Sequence, residues 1–104
     1  MIEPEAILSV KFNSLLNREE LTTVYQEDLE SFKNLPGLLQ AYYMLEEITG
    51  AINAIYIFET KAARQSFFIS ELARRTPHRY RIIPGTLRVE QYDMSSVLND
   101  VLLC

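Results

Sequence analysis

The 104-residue chain has little of several things that usually announce a function. It carries one cysteine, Cys104, and one histidine, His78. A lone thiol excludes an internal disulfide and any multi-cysteine metal site, and no second histidine or carboxylate pair accompanies His78. Such sparing use of cysteine fits a reducing, cytoplasmic setting. Basic residues are also scarce. Ten Lys and Arg against fourteen Asp and Glu leave a net charge of −4, which argues against an electrostatic grip on nucleic acid. No apolar run approaches the roughly 18–20 residues of a membrane span. The opening MIEPEAIL holds two acids and no base, so it does not read as a signal peptide. Neither Rossmann glycines nor a P-loop are present.

What the chain does have is apolar mass. With 48% hydrophobic residues, 11% of the chain being aromatic, it can bury a core without staples, as one domain over 1–104 with a core at about 7–93 and a tail at 94–104. Residues 7–13, ILSVKFN, alternate as a half-buried strand. Asn17 and Glu20 have capping-box spacing, opening a helix that runs to about Asn34 and stops before Pro36-Gly37. Its apolar stripe is Leu21, Val24, Tyr25, Leu29, Phe32 and Leu35. Residues 38–46 and 51–59 read as a hairpin around Thr49-Gly50. Thr60 caps a second helix over about 61–74, with Ala62, Phe68, Ile69, Leu72 and Ala73 on its stripe. Pro77 breaks the pattern, and a last strand over about 80–92 bends at Pro84-Gly85. The closing SSVLNDVLLC reads as a short helix.

The order β-α-β-β-α-β with right-handed crossovers specifies an α+β, ferredoxin-like fold: a four-stranded antiparallel sheet with two helices on one face. The more apolar phase of each strand is assigned to the helices: Leu8, Val10 and Phe12; Leu39, Ala41, Tyr43 and Leu45; Ile52, Ala54, Tyr56 and Phe58; Leu87 and Val89. The opposite face mixes Tyr42, Met44, Ile55, Ile57 and Tyr92 with Lys11, Asn13, Arg88 and Glu90, too apolar for comfortable solvation. It reads as a surface that pairs with its own copy, Lys11 and Glu90 neutralising each other there.

The strand-one alternation, the L-P-G-L closing helix one, and A-I-Y-I-F-E-T-K-A-A from strand three into helix two resemble the YdhR-like mono-oxygenases. That family belongs to the dimeric α+β barrel superfamily, with the antibiotic-biosynthesis mono-oxygenases. The resemblance spans Leu8 to about Leu98. It implies a homodimer with packed open faces, a small-ligand pocket between sheet and helices, and oxidation of small aromatic or quinol-like compounds with no cofactor. It does not extend to the haem-degrading relatives. Their strand-one asparagine is replaced by Leu8, Val10 and Phe12, their tryptophan falls at about Phe67, and His78 lies beyond helix two.

Several residues are candidates for a site. Asp28 interrupts the stripe of helix one, as a pocket base or as a carboxylate at a solvated rim. Tyr43 and Tyr56 face the helices from neighbouring strands; they would orient a hydroxylated ligand or simply place polar tips at a core edge. Gln65 interrupts helix two as a ligand contact or a rim amide. Phe67 lies off the stripe, at a pocket mouth or a dimer contact, and Phe12 is a further helix-facing ligand contact. Lys11, Tyr42, Arg88 and Glu90 are the dimer-interface candidates. Arg74, Arg75, His78, Arg79 and Arg81 form a basic cluster that suits an anionic ligand or a helix C-terminus. Two functions fit, a cofactor-independent mono-oxygenase and a non-catalytic homodimeric binder of a small apolar or aromatic molecule. An RNA-recognition module shares the strand order, with Tyr56 and Phe58 as stacking aromatics, but the charge opposes it.

Overall fold

The computed structural model describes residues 3–95 of the chain. The expected terminal helix lies outside the described residues, apart from its first serine. The elements run β1 (Ala6–Phe12), α1 (Arg18–Lys33), β2 (Leu38–Leu45), β3 (Ile52–Phe58), α2 (Lys61–Phe68), α3 (Glu71–Arg79) and β4 (Arg88–Asp93). The strands form one sheet in the order β2-β3-β1-β4, every neighbour antiparallel. This is the ferredoxin-like arrangement.

Helix α1 starts where its cap chemistry requires. The Asn17 side chain accepts from the Glu20 amide at 2.8 Å, and the Glu20 carboxylate accepts from the Asn17 amide at 2.9 Å. That reciprocal box satisfies two of the N–H groups that a helix start leaves orphaned. The stripe differs from expectation at one turn: Leu29 is half-exposed, and Asp28 takes the buried place.

Gly37 is required by both conformation and space. Its φ is +80°, and a Cβ there would meet the Ala63 Cβ at 2.5 Å. The close approach brings the start of β2 against α2 and lets the Gly37 carbonyl accept from the Glu59 amide at 2.8 Å. The pairing of β2 with β3 shifts between Leu38 and Gln40, a bulge that puts Leu38 on the core and leaves Leu39 partly exposed, opposite to the expected phase. After the bulge the phase is as expected: Tyr43 packs on the core and Tyr42 is half-exposed on the other face.

The second crossover holds two helices rather than one. Ser70 ends α2 and begins α3, its hydroxyl donating to the Phe67 carbonyl at 2.6 Å and accepting from the Ala73 amide at 3.2 Å. A side chain that bonds its own backbone competes with helix continuation, and here it resets the helical phase. Before this break Phe67 is buried, whereas Ala62, Phe68 and Ile69 of the expected stripe are exposed. Pro77 lies inside α3. Strand β4 begins eight residues later than expected. Pro84 lacks an amide donor and Gly85 has φ +84°, so 80–87 form a connector instead of a ladder. That connector is pinned by the Ser14–Ile82 bridge and by the Ile83 amide donating to the Asn13 carbonyl at 2.8 Å.

All helices cover one sheet face. One buried cluster joins Leu8, Ala54, Tyr56 and Phe58 to Phe32 of α1 and Phe67 of α2; another joins Phe12 and Ile52 to Leu21 and Tyr80. The bare face follows from the register as three rows across the sheet: Gln40, Ile57, Ile7 and Tyr92; Tyr42, Ile55, Ser9 and Glu90; Met44, Asn53, Lys11 and Arg88. Ser9 is buried at its centre and donates to Asn53 at 3.1 Å. Lys11 stands opposite Arg88 and Glu90 opposite Ser9, so the expected Lys11–Glu90 pair does not form. None of the described helices is long and apolar enough to cross a membrane.

Candidate functional site

A cleft of about 140 Å³ opens on the helix-bearing face, between β1/β4 and the α2–α3 corner. Leu8, Val10 and Tyr56 form its floor. Phe67, Ala73, Thr76 and Pro77 form the helical wall, and Ile82, Leu87 and Val89 close the side of β4. The broken crossover shapes it: Phe67 faces inward at the end of α2, and the reset phase of α3 brings the small Ala73 into the same wall. Leu87, Val89 and Phe68, all partly exposed, form an apolar rim. Among the described residues no charged side chain lines the cleft.

Behind its floor lies a cluster of phenols. The Tyr56 and Tyr43 hydroxyls lie 3.3 Å apart. Tyr43 stacks on Tyr25 at 4.3 Å between ring centroids, and the Tyr80 ring lies 6.4 Å from it. Tyr56 also meets Phe67 at 5.0 Å and Phe32 at 5.6 Å. It is the one residue shared by the cleft and this cluster. Burial raises all three inner phenols: Tyr43 and Tyr80 go well above the usual tyrosine value, and Tyr56 is pushed up to about 12. At neutral pH they are uncharged hydrogen-bond donors and acceptors, not bases. Among the described residues the buried Tyr80 hydroxyl makes no well-formed hydrogen bond, although the Tyr43 phenol lies beside it.

Asp28 is 6% exposed and held by Arg79, whose Nη2 lies 3.0 Å from Oδ1 and whose Nε donates to Oδ2 at 3.3 Å. Arg79 also pairs with Glu27 at 3.0 Å, which ties α3 to α1. Asp28 is thus neither at a solvated rim nor in the cleft lining; it is a paired carboxylate behind the phenols. Arg74 is paired with Glu71 at 2.9 Å, so two members of the basic cluster are committed to internal ion pairs.

The structure brings Tyr43 and Tyr56 together and places Phe67 in the cleft wall. Phe12 is packed on Tyr80 in the second core cluster, away from the cleft, and Gln65 is exposed on α2. Lys11, Tyr42, Arg88 and Glu90 are all exposed on the bare face. Ala73 lies on the expected helix stripe without being a site candidate, whereas Thr76 and Tyr80 fall outside the sequence reading, because the second helix is expected to end at about 74 and the last strand to begin at about 80. Tyr56 and Phe58 are buried against the helices, so they offer no ring to a stacked base. Among the described residues no three His, Cys, Asp or Glu side chains gather as a metal-ligand set.

No family model matches the chain, and neither does any curated protein. Solved structures do resemble it in fold. A protein of unknown function from Nitrosomonas europaea superposes with a TM-score of 0.69 at 12% identity, over 93% of this chain and 95% of that one. SnoaB, a cofactor-independent oxygenase from Streptomyces nogalater, superposes at 0.65 and 12% identity over 91% and 95% of the two chains. The ActVA-Orf6 mono-oxygenase of Streptomyces coelicolor, solved with nanaomycin D, superposes at 0.67 and 14% identity over 90% of each. The class defined is therefore a fold: the α+β sheet-and-helix unit shared with these oxygenases.

Proposed function

We propose that the chain is a mono-oxygenase of the YdhR-like kind, oxidising a small aromatic or quinol-like compound in the cleft without a bound cofactor. The observation that carries this reading is the apolar cleft floored by Tyr56, on a fold that cofactor-independent oxygenases also have. Electron-rich hydroxyarenes supply their own reducing equivalents. A hydroquinone and one dioxygen yield a hydroxyquinone and one water, with one oxygen atom in each. The protein's part is to take the ring out of water and orient it against Tyr56 and Phe67. Tyr56, backed by Tyr43, is the polar group we assign to this task. The Asp28–Arg79 pair holds α1 and α3 around it as a positioning element.

The working unit we propose is a homodimer joined through the bare sheet face. Tyr42, Met44 and Tyr92 are each about half exposed there, beside the half-buried Ile7, Ile55 and Ile57. This is an apolar patch that a second copy would cover. Lys11, Arg88 and Glu90 would then sit within the contact. A cytoplasmic location accords with the single cysteine.

A second reading has its own support. The inner phenols are uncharged and no carboxylate among the described residues lines the cleft, so none of these residues offers the substrate a proton acceptor. A homodimeric binder of small aromatics needs none. Oxygen uptake with a panel of hydroquinones, naphthols and anthrones separates the two. Protein-dependent, saturable uptake supports the oxygenase; saturable binding with uptake no faster than buffer overturns it in favour of the binder.

A further inference from the structure

The cleft's dimensions and lining narrow its ligand further than its apolar character alone does. Its volume is about 140 Å³. An apolar protein cavity of about 150 Å³ is filled by benzene, so one six-membered ring with a small substituent occupies this space. The floor and walls leave little scope for a second fused ring. Leu8 and Tyr56 beneath it are fully packed members of the main core cluster, and Phe67 is buried in the same cluster. An added ring would have to project past the rim of Phe68, Leu87 and Val89, and the part left in water gains nothing from burial.

The lining also decides charge. Among the described residues its polar side chains are Tyr56 and Thr76, and the Thr76 hydroxyl donates its proton to the Leu72 carbonyl at 3.2 Å. Among the described residues that line it there is no cation to pair a carboxylate or phenolate, and no anion to pair an ammonium, so a charged ligand would pay its desolvation without compensation. A neutral hydroxyl, by contrast, can donate to the Thr76 oxygen, which keeps lone pairs free.

We infer that the cleft selects neutral single-ring aromatics of the phenol and hydroquinone class, and that the rim formed by Phe68, Leu87 and Val89 excludes fused-ring compounds. This rests on the cleft being the ligand site, and the test is arranged so that the two ideas fail separately. The full chain is titrated, with NMR detection, against 4-methylphenol, 1-naphthol, anthrone and benzoate. The inference expects saturable binding of 4-methylphenol, with 1-naphthol, anthrone and benzoate weaker by about tenfold or more. Ala73→Phe, which fills the cleft, should abolish 4-methylphenol binding. Phe68→Ala, which lowers the rim, should bring 1-naphthol to within about threefold of 4-methylphenol. Tighter binding of naphthol or anthrone than of 4-methylphenol, lost in Ala73→Phe, overturns the single-ring limit and leaves the cleft as the site. Benzoate binding as tightly as 4-methylphenol overturns the neutrality rule. Binding that Ala73→Phe leaves unchanged, or no binding of any probe, overturns the cleft as the ligand site and the inference with it.

Discussion

At the scale of single residues, the phenol cluster makes two opposite demands. Tyr80 is 2% exposed, and among the described residues its hydroxyl makes no well-formed hydrogen bond. A buried polar group without a bond carries its desolvation cost unrepaid, so Tyr80→Phe should leave stability unchanged or raise it by about 1 kcal/mol. Chemical denaturation measures this, and a loss of more than about 1 kcal/mol would show that the hydroxyl is bonded after all. Asp28 is the converse. It is buried and bonded twice by Arg79, so Asp28→Asn keeps the shape but strands the guanidinium. Arg79 is partly exposed, which places the expected loss at about 2 kcal/mol, below that of a fully buried broken pair. Substitution with no measurable loss would remove this pair from the account of how α1 meets α3.

At the scale of elements, the backbone turns hold the most specific information. Gly37→Ala combines a left-handed φ with a Cβ only 2.5 Å from that of Ala63. The expected cost is about 2 kcal/mol or more, read as a lowered denaturation midpoint. Much of this level was legible in the sequence. The Asn17–Glu20 box, the Pro36-Gly37 stop and the alternation of 52–58 each follow from one local rule, and each element stands where that rule puts it. What was not legible depended on competition between rules. Ser70 reads as an ordinary helix residue until its hydroxyl is seen to bond both the Phe67 carbonyl and the Ala73 amide. That single switch sets the phase of α3, which puts Ala73 and Thr76 in the cleft wall with Phe67. The β2 bulge likewise exchanges Leu38 for Leu39 with no mark in the apolar pattern. The candidate site is thus half visible: Tyr43, Tyr56 and Phe67 are candidates from the sequence and Ala73 lies on its helix stripe, whereas Thr76 and Tyr80 depend on the helix break and the 80–87 connector.

At the scale of the whole molecule, the buried phenols couple stability to alkaline pH. Their folded values are raised, Tyr56 to about 12, while an unfolded tyrosine titrates near 10. A raised value means the unfolded chain releases the proton first. The stabilisation is therefore complete below about pH 10 and is lost as pH rises through the folded value. The urea midpoint should be flat from about pH 8 to 10 and fall steeply above it, with the buried tyrosines ionising only as the protein unfolds. Phenolate absorbance from these residues appearing before unfolding would contradict their burial. The same scale holds the bare sheet face, where Tyr42→Glu is expected to convert a dimer into a monomer by light scattering, and a monomeric wild type would end the dimer proposal.

The central claim is that dioxygen reacts with an aromatic held in the cleft. Incubation of the protein with a single-ring hydroquinone under isotopically labelled dioxygen, followed by mass spectrometry of the product, tests it most directly. The expected result is one labelled oxygen in the hydroxyquinone, formed at a rate that depends on the protein and is lost in Ala73→Phe. Product free of label, or label incorporated equally well by Ala73→Phe, would contradict it.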